Sequence, residues 1–345
     1  MPFQLADLRF RIVQAPMAGG PTTPELAAAV GWAGGLGFLA AGYLTPEAVR
    51  AQIEQVRKLA GDGALFGVNV FVPQPVAQPY AVAAYREALL PEAAAAGVHL
   101  PEPDFADTDF WAEKVHLLMA EPVPVVSFTF GLPTSDVLAR LRSVGTYTIG
   151  TVTNADEARL AVATGVDALC VQGTEAGGHR GVFDPCALPP ATPLTVLLQE
   201  VRKVAPRTPI IAAGGISTSA EVAVLLGGVA DAVQLGTAFL RAHEAATNPV
   251  YRDALVDRAY AQTAVTRAFS GRWARALRTP FIDRHAADAP AAYPAVNQVT
   301  KPLRAAAAAR RDPSGMSLYA GTGHRHALAA PAAQIMERLT ADLPV

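Results

Sequence analysis

Residues 171–183 read Val-Gln-Gly-Thr-Glu-Ala-Gly-Gly-His-Arg-Gly-Val-Phe, and what flanks them decides the fold. Upstream, Val166–Val171 is a short apolar run of strand character. Downstream, Pro185, Pro189 and Pro190 hold the chain in a loop until a helical pattern begins at Thr192. A short buried strand, a turn-rich loop and then a helix make one βα unit. His179 thus stands on a glycine-rich loop leaving the C-terminal end of a strand, where βα-repeat proteins place function. The glycines let backbone approach a ligand closely or adopt positive φ. The competing reading is a tight glycine turn that carries a surface histidine.

The same unit recurs in both directions. Strand-like runs fall at Phe10–Ala15, Leu36–Ala40, Leu65–Phe71, Val123–Phe130, Thr146–Val152, Pro209–Ala213 and Ala230–Leu235. Helix starts are legible between them. Thr22 and Glu25 have capping-box spacing with Pro24 in the first turn, and Thr218 and Glu221 repeat that spacing. Thr45-Pro46-Glu47 opens another helix, and Asn154 or Thr153 caps the one that reaches Ala163. Eight apolar strands alternating with eight helical patterns before residue 245 predict a (β/α)8 TIM barrel. A doubly wound sheet is the alternative, but no Gly-x-Gly-x-x-Gly follows the first strand, where that fold carries it.

Two segments break the alternation. Residues 73–120 hold several prolines, an Ala-rich helix near 81–96 and a helix from about Asp109 to Ala120, too long for an ordinary βα loop. Beyond 245 the pattern is helical or irregular. We therefore expect 1–72 and 121–245 to form the barrel, with 73–120 and 246–345 as a helical insertion and C-terminal cap. Arg267, Arg272, Arg275 and Arg278 are expected mostly on solvated helix faces of that cap and in local ion pairs.

Composition narrows the function. The 345 residues are 51% hydrophobic and 17% charged, enough apolar material for a large core and against disorder. A net charge of −2 without long like-charge runs points away from nucleic acid and from a polybasic membrane surface. No signal-peptide pattern opens the chain, and no run of about 18 apolar residues is free of charge, Gly and Pro. A cytoplasmic protein is expected. Cys170 and Cys186 make no disulfide framework, and Cys170 ends an apolar run as a core thiol. No metal-ligand spacing of His or Cys occurs, so no metal is expected. His99, His116, His243 and His285 are weaker candidates than His179, and Ser270-Gly-Arg and Ser314-Gly are not nucleophile elbows.

Barrels often hold phosphate in the loops after strands seven and eight. Here those loops are Ala213-Gly214-Gly215-Ile216 and Gln234-Leu235-Gly236-Thr237, with glycine where a phosphate needs close backbone access and Thr237 as a hydroxyl donor. Asn69, Ser127 and Gln172 are polar residues at strand ends. Each either bonds neighbouring backbone or meets a heteroaromatic ring with alternating N–H and C=O edges. Phosphate loops below a mouth lined by amides suggest FMN, with His179 over its ring.

Four motifs occur in order: Gln14-Ala-Pro-Met-Ala-Gly-Gly20, Phe66-Gly-Val-Asn-Val-Phe71, Val126-Ser-Phe-Thr-Phe-Gly131 and Gln172-Gly-Thr-Glu-Ala-Gly-Gly-His-Arg-Gly181. Together they resemble the class I nitronate monooxygenases, formerly called 2-nitropropane dioxygenases. The Glu-Ala-Gly-Gly-His core is also similar to FMN-dependent enoyl-acyl-carrier-protein reductases and NADH:quinone reductases, and the Met-Ala-Gly-Gly of the first motif favours class I. The resemblance implies FMN contacts from Asn69, Gln172, Gly177, Gly215, Gln234, Leu235, Gly236 and Thr237, with Met17 and Gly19 near the flavin. It implies His179 as the catalytic residue beside the reactive flavin nitrogen. It also implies oxidation of alkyl nitronates, propionate 3-nitronate among them, with O2 to a carbonyl compound and nitrite. Single-electron transfer through the flavin would do this without NAD(P)H.

A nitronate is anionic, so a histidine charged near neutral pH is expected to hold it, or to act as base if a neutral nitroalkane binds. Ser127, Tyr293 and Lys301 are the candidate substrate contacts. Tyr293, Asn297 and Lys301 fall at four-residue spacing on one helix face, interrupted by Pro294. Asn297 stands where the family pattern expects tyrosine, and Thr322 where glutamine is frequent. Arg180 is expected to be structural. The expected partners are a small nitronate and O2, with the chain as monomer or homodimer. An NAD(P)H-dependent reductase of quinones or enoyl thioesters, and a flavin-binding module without turnover, are the competing functions.

Overall fold

Each expected apolar run folds as a strand, and the first two close a ring. The protein is described by a computed structural model over residues 3–61, 65–74 and 78–343. The strands are β1 Ile12–Gln14, β2 Gly37–Ala40, β3 Phe66–Phe71, β4 Val125–Thr129, β5 Tyr147–Val152 and β6 Ala168–Gln172. They continue as β7 Gly178–His179, β8 Ile210–Ala213, β9 Ala232–Leu235, β10 Thr263–Thr266 and β11 Ala274–Leu277. Eight of them form one parallel sheet in the order β1-β9-β8-β6-β5-β4-β3-β2. Val13 bridges Leu36 just before β2, with Gln14 N–H donating to Leu36 O and Leu36 N–H to Ile12 O, both at 2.9 Å. That bridge joins the two sheet edges, and the fold is a TIM barrel.

The barrel interior holds Val13, Phe38, Val125, Ile149, Cys170 and Ile211, with Phe3, Leu5 and Leu8 of the N-terminal segment packed against them. Helices cover the outside, each entered through a polar cap. Thr45, Thr134, Asn154 and Thr218 accept a backbone N–H at their helix starts, each cap contributing roughly 1 kcal/mol. At the first helix, Pro24–Trp32, the cap is Thr23 and not Thr22. The expected box is shifted because Thr22 Oγ1 is engaged by Met17 N–H at 2.9 Å, which folds the Met-Ala-Gly-Gly loop back on itself.

The ring of helices is completed from the two segments expected to lie outside it. Trp111–Ala120 packs against β3 and the helices Pro46–Ala60 and Ser135–Ser143. Ala332–Thr340 packs between Pro24–Trp32 and Ser219–Leu226 and buries Ile335, Met336 and Leu339 in the main core. Each such side chain contributes about 1.5–3 kcal/mol on burial, so this helix is part of the barrel wall. The boundaries expected at 120 and 245 therefore fall inside the structure they were to delimit.

What lies over the mouth is smaller and of mixed structure. The single helix expected near 81–96 is two, Pro79–Ala88 and Leu90–Ala96, because Pro91 offers no N–H to continue the first. Val82, Tyr85 and Leu89 of this insertion share a core with Phe269, Phe281, Val296 and Val299 of the tail. The tail is not wholly helical or irregular. β10 and β11 form an antiparallel hairpin, and β7 adds to its edge with Ala274 opposite His179 and Arg275 opposite Gly178. The glycine-rich loop of the barrel is thereby tied into the tail. No helix among the described residues is long and apolar enough to cross a membrane.

Candidate active site

A cavity of about 410 Å³ lies over the C-terminal ends of the barrel strands, a volume usual for a cofactor site. One end is made of the loops after β8 and β9. Gly214 and Gly215 have φ of +117° and +75°, and a Cβ on Gly215 would stand 2.8 Å from Glu175 Cβ. The N–H groups of Gly215, Ile216, Gly236 and Thr237 donate to no acceptor among the described residues. Four unpaired backbone donors on adjacent strand ends form the set that a phosphate satisfies, so the residues present fit that group. Thr237 Oγ1 also accepts Gly321 N–H at 3.0 Å, which brings a tail loop onto the same end.

The amides between the two ends are engaged locally. Asn69 Nδ2 donates to Ser127 Oγ and Thr129 Oγ1, both at 2.9 Å, while its Oδ1 accepts nothing among the described residues. Gln172 Nε2 donates to His179 O at 3.0 Å, and its Oε1 accepts Gly181 N–H at 2.8 Å. Gln172 thus braces the His179 loop from inside. Gln234 Nε2 donates to Cys170 Sγ at 3.3 Å, and burial pushes that thiol up to about 12, so it stays protonated. Met17, Gly19, Asn69, Ser127, Gln172 and Gln234 all line the cavity, as do Leu235, Gly236 and Thr237. Gly177 lines it too, but its glycine requirement has another source. A Cβ there would meet Gly321 N at 2.3 Å, because the tail loop rests directly on this backbone.

His179 occupies the other end. Its Nε2 lies 2.8 Å from Ser270 Oγ. Ser270 is buried, donates to Arg272 O at 3.2 Å and accepts Arg272 N–H at 3.3 Å. The hydroxyl can donate to Nε2 or accept from it, so this bond fixes the ring's orientation in either tautomer. Nδ1 has no partner among the described residues. Tyr319, Phe130 and Tyr293 surround the ring at centroid distances of 5.1, 5.8 and 5.8 Å. Burial, and then the charges of Arg272 and Arg304, depress the imidazole to about 3. The expectation of a histidine charged near neutral pH is therefore corrected: this ring is neutral, because it is enclosed beside two cations.

The arginines expected on solvated helix faces are mostly not there, since their segment is the hairpin. Arg272 is 1% exposed, stacks 3.9 Å above the Phe130 ring, and donates to Gln74 Oε1 and Val182 O. Arg275 is half-buried and donates to Thr174 O at 2.9 Å, and Arg267 lies 4.4 Å over the Trp273 ring. Only Arg278 is exposed, in an ion pair with Asp283. Arg180 is buried and donates to the Gly173 and Gln172 carbonyls, the structural role expected of it. His285 pairs in space with Glu92 at 3.1 Å.

The tail helix runs Ala295–Ala309, so Tyr293 precedes it and does not share a face with Asn297 and Lys301. Asn297 lines the cavity. Lys301 is exposed to solvent and stands outside the lining, whereas Arg304, one turn further, is part of it. Ser270 and Arg304 carry no motif that sequence reasoning could have used. Ser270 meets His179 across 91 residues, and although Gly271, at φ +78°, marks the turn between β10 and β11, nothing local to it points to the histidine.

The sequence model of the nitronate monooxygenase family matches residues 4–342. The chain belongs to that family. A probable nitronate monooxygenase of Staphylococcus aureus (strain Newman) is 36% identical over 97% of this chain and 95% of its own length. Among solved structures, the nitroalkane oxidase of Streptomyces ansochromogenes is similar at 46% identity with a TM-score of 0.93, covering 98% of this chain and 97% of that one. FabK from Thermotoga maritima shares the architecture at 28% identity and a TM-score of 0.74, over 97% of this chain and 93% of its own. As a member of the family the chain is an oxidoreductase, and His179 with its flanking glycines lies within the matched residues.

Proposed function

We propose that the chain is an FMN-dependent nitronate monooxygenase, oxidising alkyl nitronates of the propionate 3-nitronate type with O2 to a carbonyl compound and nitrite. One observation carries the reading: His179, held through Ser270, faces the same cavity as four unpaired N–H groups arranged for a phosphate. Gly215, Ile216, Gly236 and Thr237 would hold the FMN phosphate, and Asn69 Oδ1 would accept from the ring edge. Bound there, FMN supplies the electron acceptor that side chains lack.

The protein's own groups do the rest. Phe130, Tyr293 and Tyr319 enclose the imidazole and exclude water from it. Ser270 fixes the ring, and in the tautomer that carries its proton on Nε2 the acceptor is Nδ1. The positive charge beside the nitronate head comes from Arg272, held above Phe130, rather than from the histidine. If a neutral nitroalkane binds, Nδ1 receives the carbon-bound proton and the resulting nitronate stays beside the new imidazolium. A ring depressed to about 3 is a weak base for that step, so preformed nitronates are the faster substrates.

Oxygen uptake and nitrite release, measured with propionate 3-nitronate, propyl 1-nitronate and 1-nitropropane at pH 7, test this. We expect both nitronates to be turned over and 1-nitropropane to be slower by at least about 10-fold. A faster rate with 1-nitropropane would make the chain a nitroalkane oxidase in practice, and absence of nitrite from all three would remove the proposal.

A further inference from the structure

One arginine of the cavity is left without a counter-charge. Among the described residues Arg304 is the only arginine or lysine in the lining, and it has no carboxylate within ion-pair distance among them. Its orientation is nonetheless fixed. Nε donates to Thr300 Oγ1 at 3.2 Å, and Nη2 donates to Asn297 O and Asn297 Oδ1, both at 2.8 Å. Thr300 is fully buried and donates in turn to Phe269 O, so the brace continues into the tail core. Nη1 has no partner among the described residues.

A half-buried guanidinium without a counter-charge is unfavourable by itself, and an anionic ligand is what relieves it. The phosphate end of the cavity already has its own donors in the glycine loops. Arg304 acts at the opposite end, where its charge bears on His179, Tyr319 and Tyr43. The nitronate head is placed at His179, which leaves a braced cation beside the substrate with one N–H edge free.

We propose that Arg304, clamped by Asn297 and Thr300, is the specificity-determining residue that takes a second anionic group of the substrate, the carboxylate of a carboxyalkyl nitronate. The proposal rests on the nitronate reading above. Uncharged alkyl nitronates would then be accepted through the head alone, and the carboxylate would contribute affinity through a charge-assisted hydrogen bond to Nη1.

The test compares propionate 3-nitronate with propyl 1-nitronate in the flavin-loaded wild type, Arg304→Met and Arg304→Lys. For Arg304→Met we expect kcat/KM on propionate 3-nitronate to fall by roughly 10- to 100-fold, mostly through KM, with propyl 1-nitronate held within about 3-fold. Arg304→Lys should restore part of the loss. Equal losses on both nitronates would place Arg304 at the head or in the scaffold and overturn the proposal, as would an unchanged rate on propionate 3-nitronate. Calorimetric titration with 3-nitropropionate, which carries the carboxylate but is not a nitronate, supplies a readout without turnover. Its binding should weaken in Arg304→Met by the same factor, and equal affinity would contradict the assignment. If the wild type oxidises neither nitronate, the functional reading fails, and the titration still decides whether Arg304 is a carboxylate site. Should Arg304→Met lose its fold, Asn297→Ala releases the clamp and is expected to give the same selective loss in smaller measure.

Discussion

The two ends of the cavity are built by different parts of the chain and by different kinds of contact. The phosphate end comes from the loops after β8 and β9, a few residues each, and its donors are backbone N–H groups whose positions follow from strand and turn. The histidine end is assembled from three distant segments: the loop after β6, the β10–β11 hairpin and the helix Ala295–Ala309. There the contacts are made by side chains, Ser270 orienting the ring and Arg272 and Arg304 bringing charge. On the proposed reading cofactor holding would belong to the barrel, and substrate handling to His179 with the tail, so changes at the two ends should separate cleanly in experiment.

The most severe separation is expected at His179 itself. His179→Asn should retain bound FMN while kcat/KM on 1-nitropropane, whose carbon-bound proton the imidazole would take, falls by about 10²- to 10⁴-fold. Activity within a few-fold of wild type would break the assignment. Next, Ser270→Ala removes the hydrogen-bond partner that orients the His179 ring through Nε2, without touching the phosphate loops. A loss of roughly 10-fold in kcat with unchanged flavin affinity is expected, from a misplaced imidazole and not from cofactor loss.

The enclosure of His179 also makes a pH prediction. Its native value of about 3 lies below the unfolded value near 6.5, so between these limits the unfolded chain binds the extra proton. The stabilisation from the neutral ring is then present above about pH 6.5 and declines as pH falls toward 3. Urea unfolding of the apoprotein at pH 7.5 and 5 should show a smaller drop in His179→Asn than in wild type. For the same reason kcat/KM on preformed nitronate should show no inflection between pH 5 and 8 that disappears in His179→Asn. The smallest effect is expected from Lys301→Ala, which should leave kcat and KM within about 2-fold because the side chain is exposed outside the cavity.

The same division explains what could be read from the sequence. The eight barrel strands, the helix caps Thr45, Asn154 and Thr218 and the glycine loops are local patterns with a period or a spacing, and the structure has them close to where they were expected. Thr23 replaces Thr22 as a cap only because Thr22 has a partner in Met17, a contact that spacing does not encode. The final barrel helix was hidden because about 95 residues of tail separate it from its strand, so the alternation does not show it. Arg272 reads as an ordinary surface arginine until the hairpin puts it above Phe130. The charge of His179 depends on those arginines and on enclosure, neither of which has a sequence period.

The central claim is that the bound flavin takes electrons from a nitronate and not from a nicotinamide. Anaerobic mixing in a stopped-flow spectrometer tests it directly. The account predicts that propionate 3-nitronate bleaches the flavin absorbance rapidly and that NADH leaves it unchanged. Rapid bleaching by NADH with silence toward the nitronate would contradict it and assign the chain to the reductases that share this barrel.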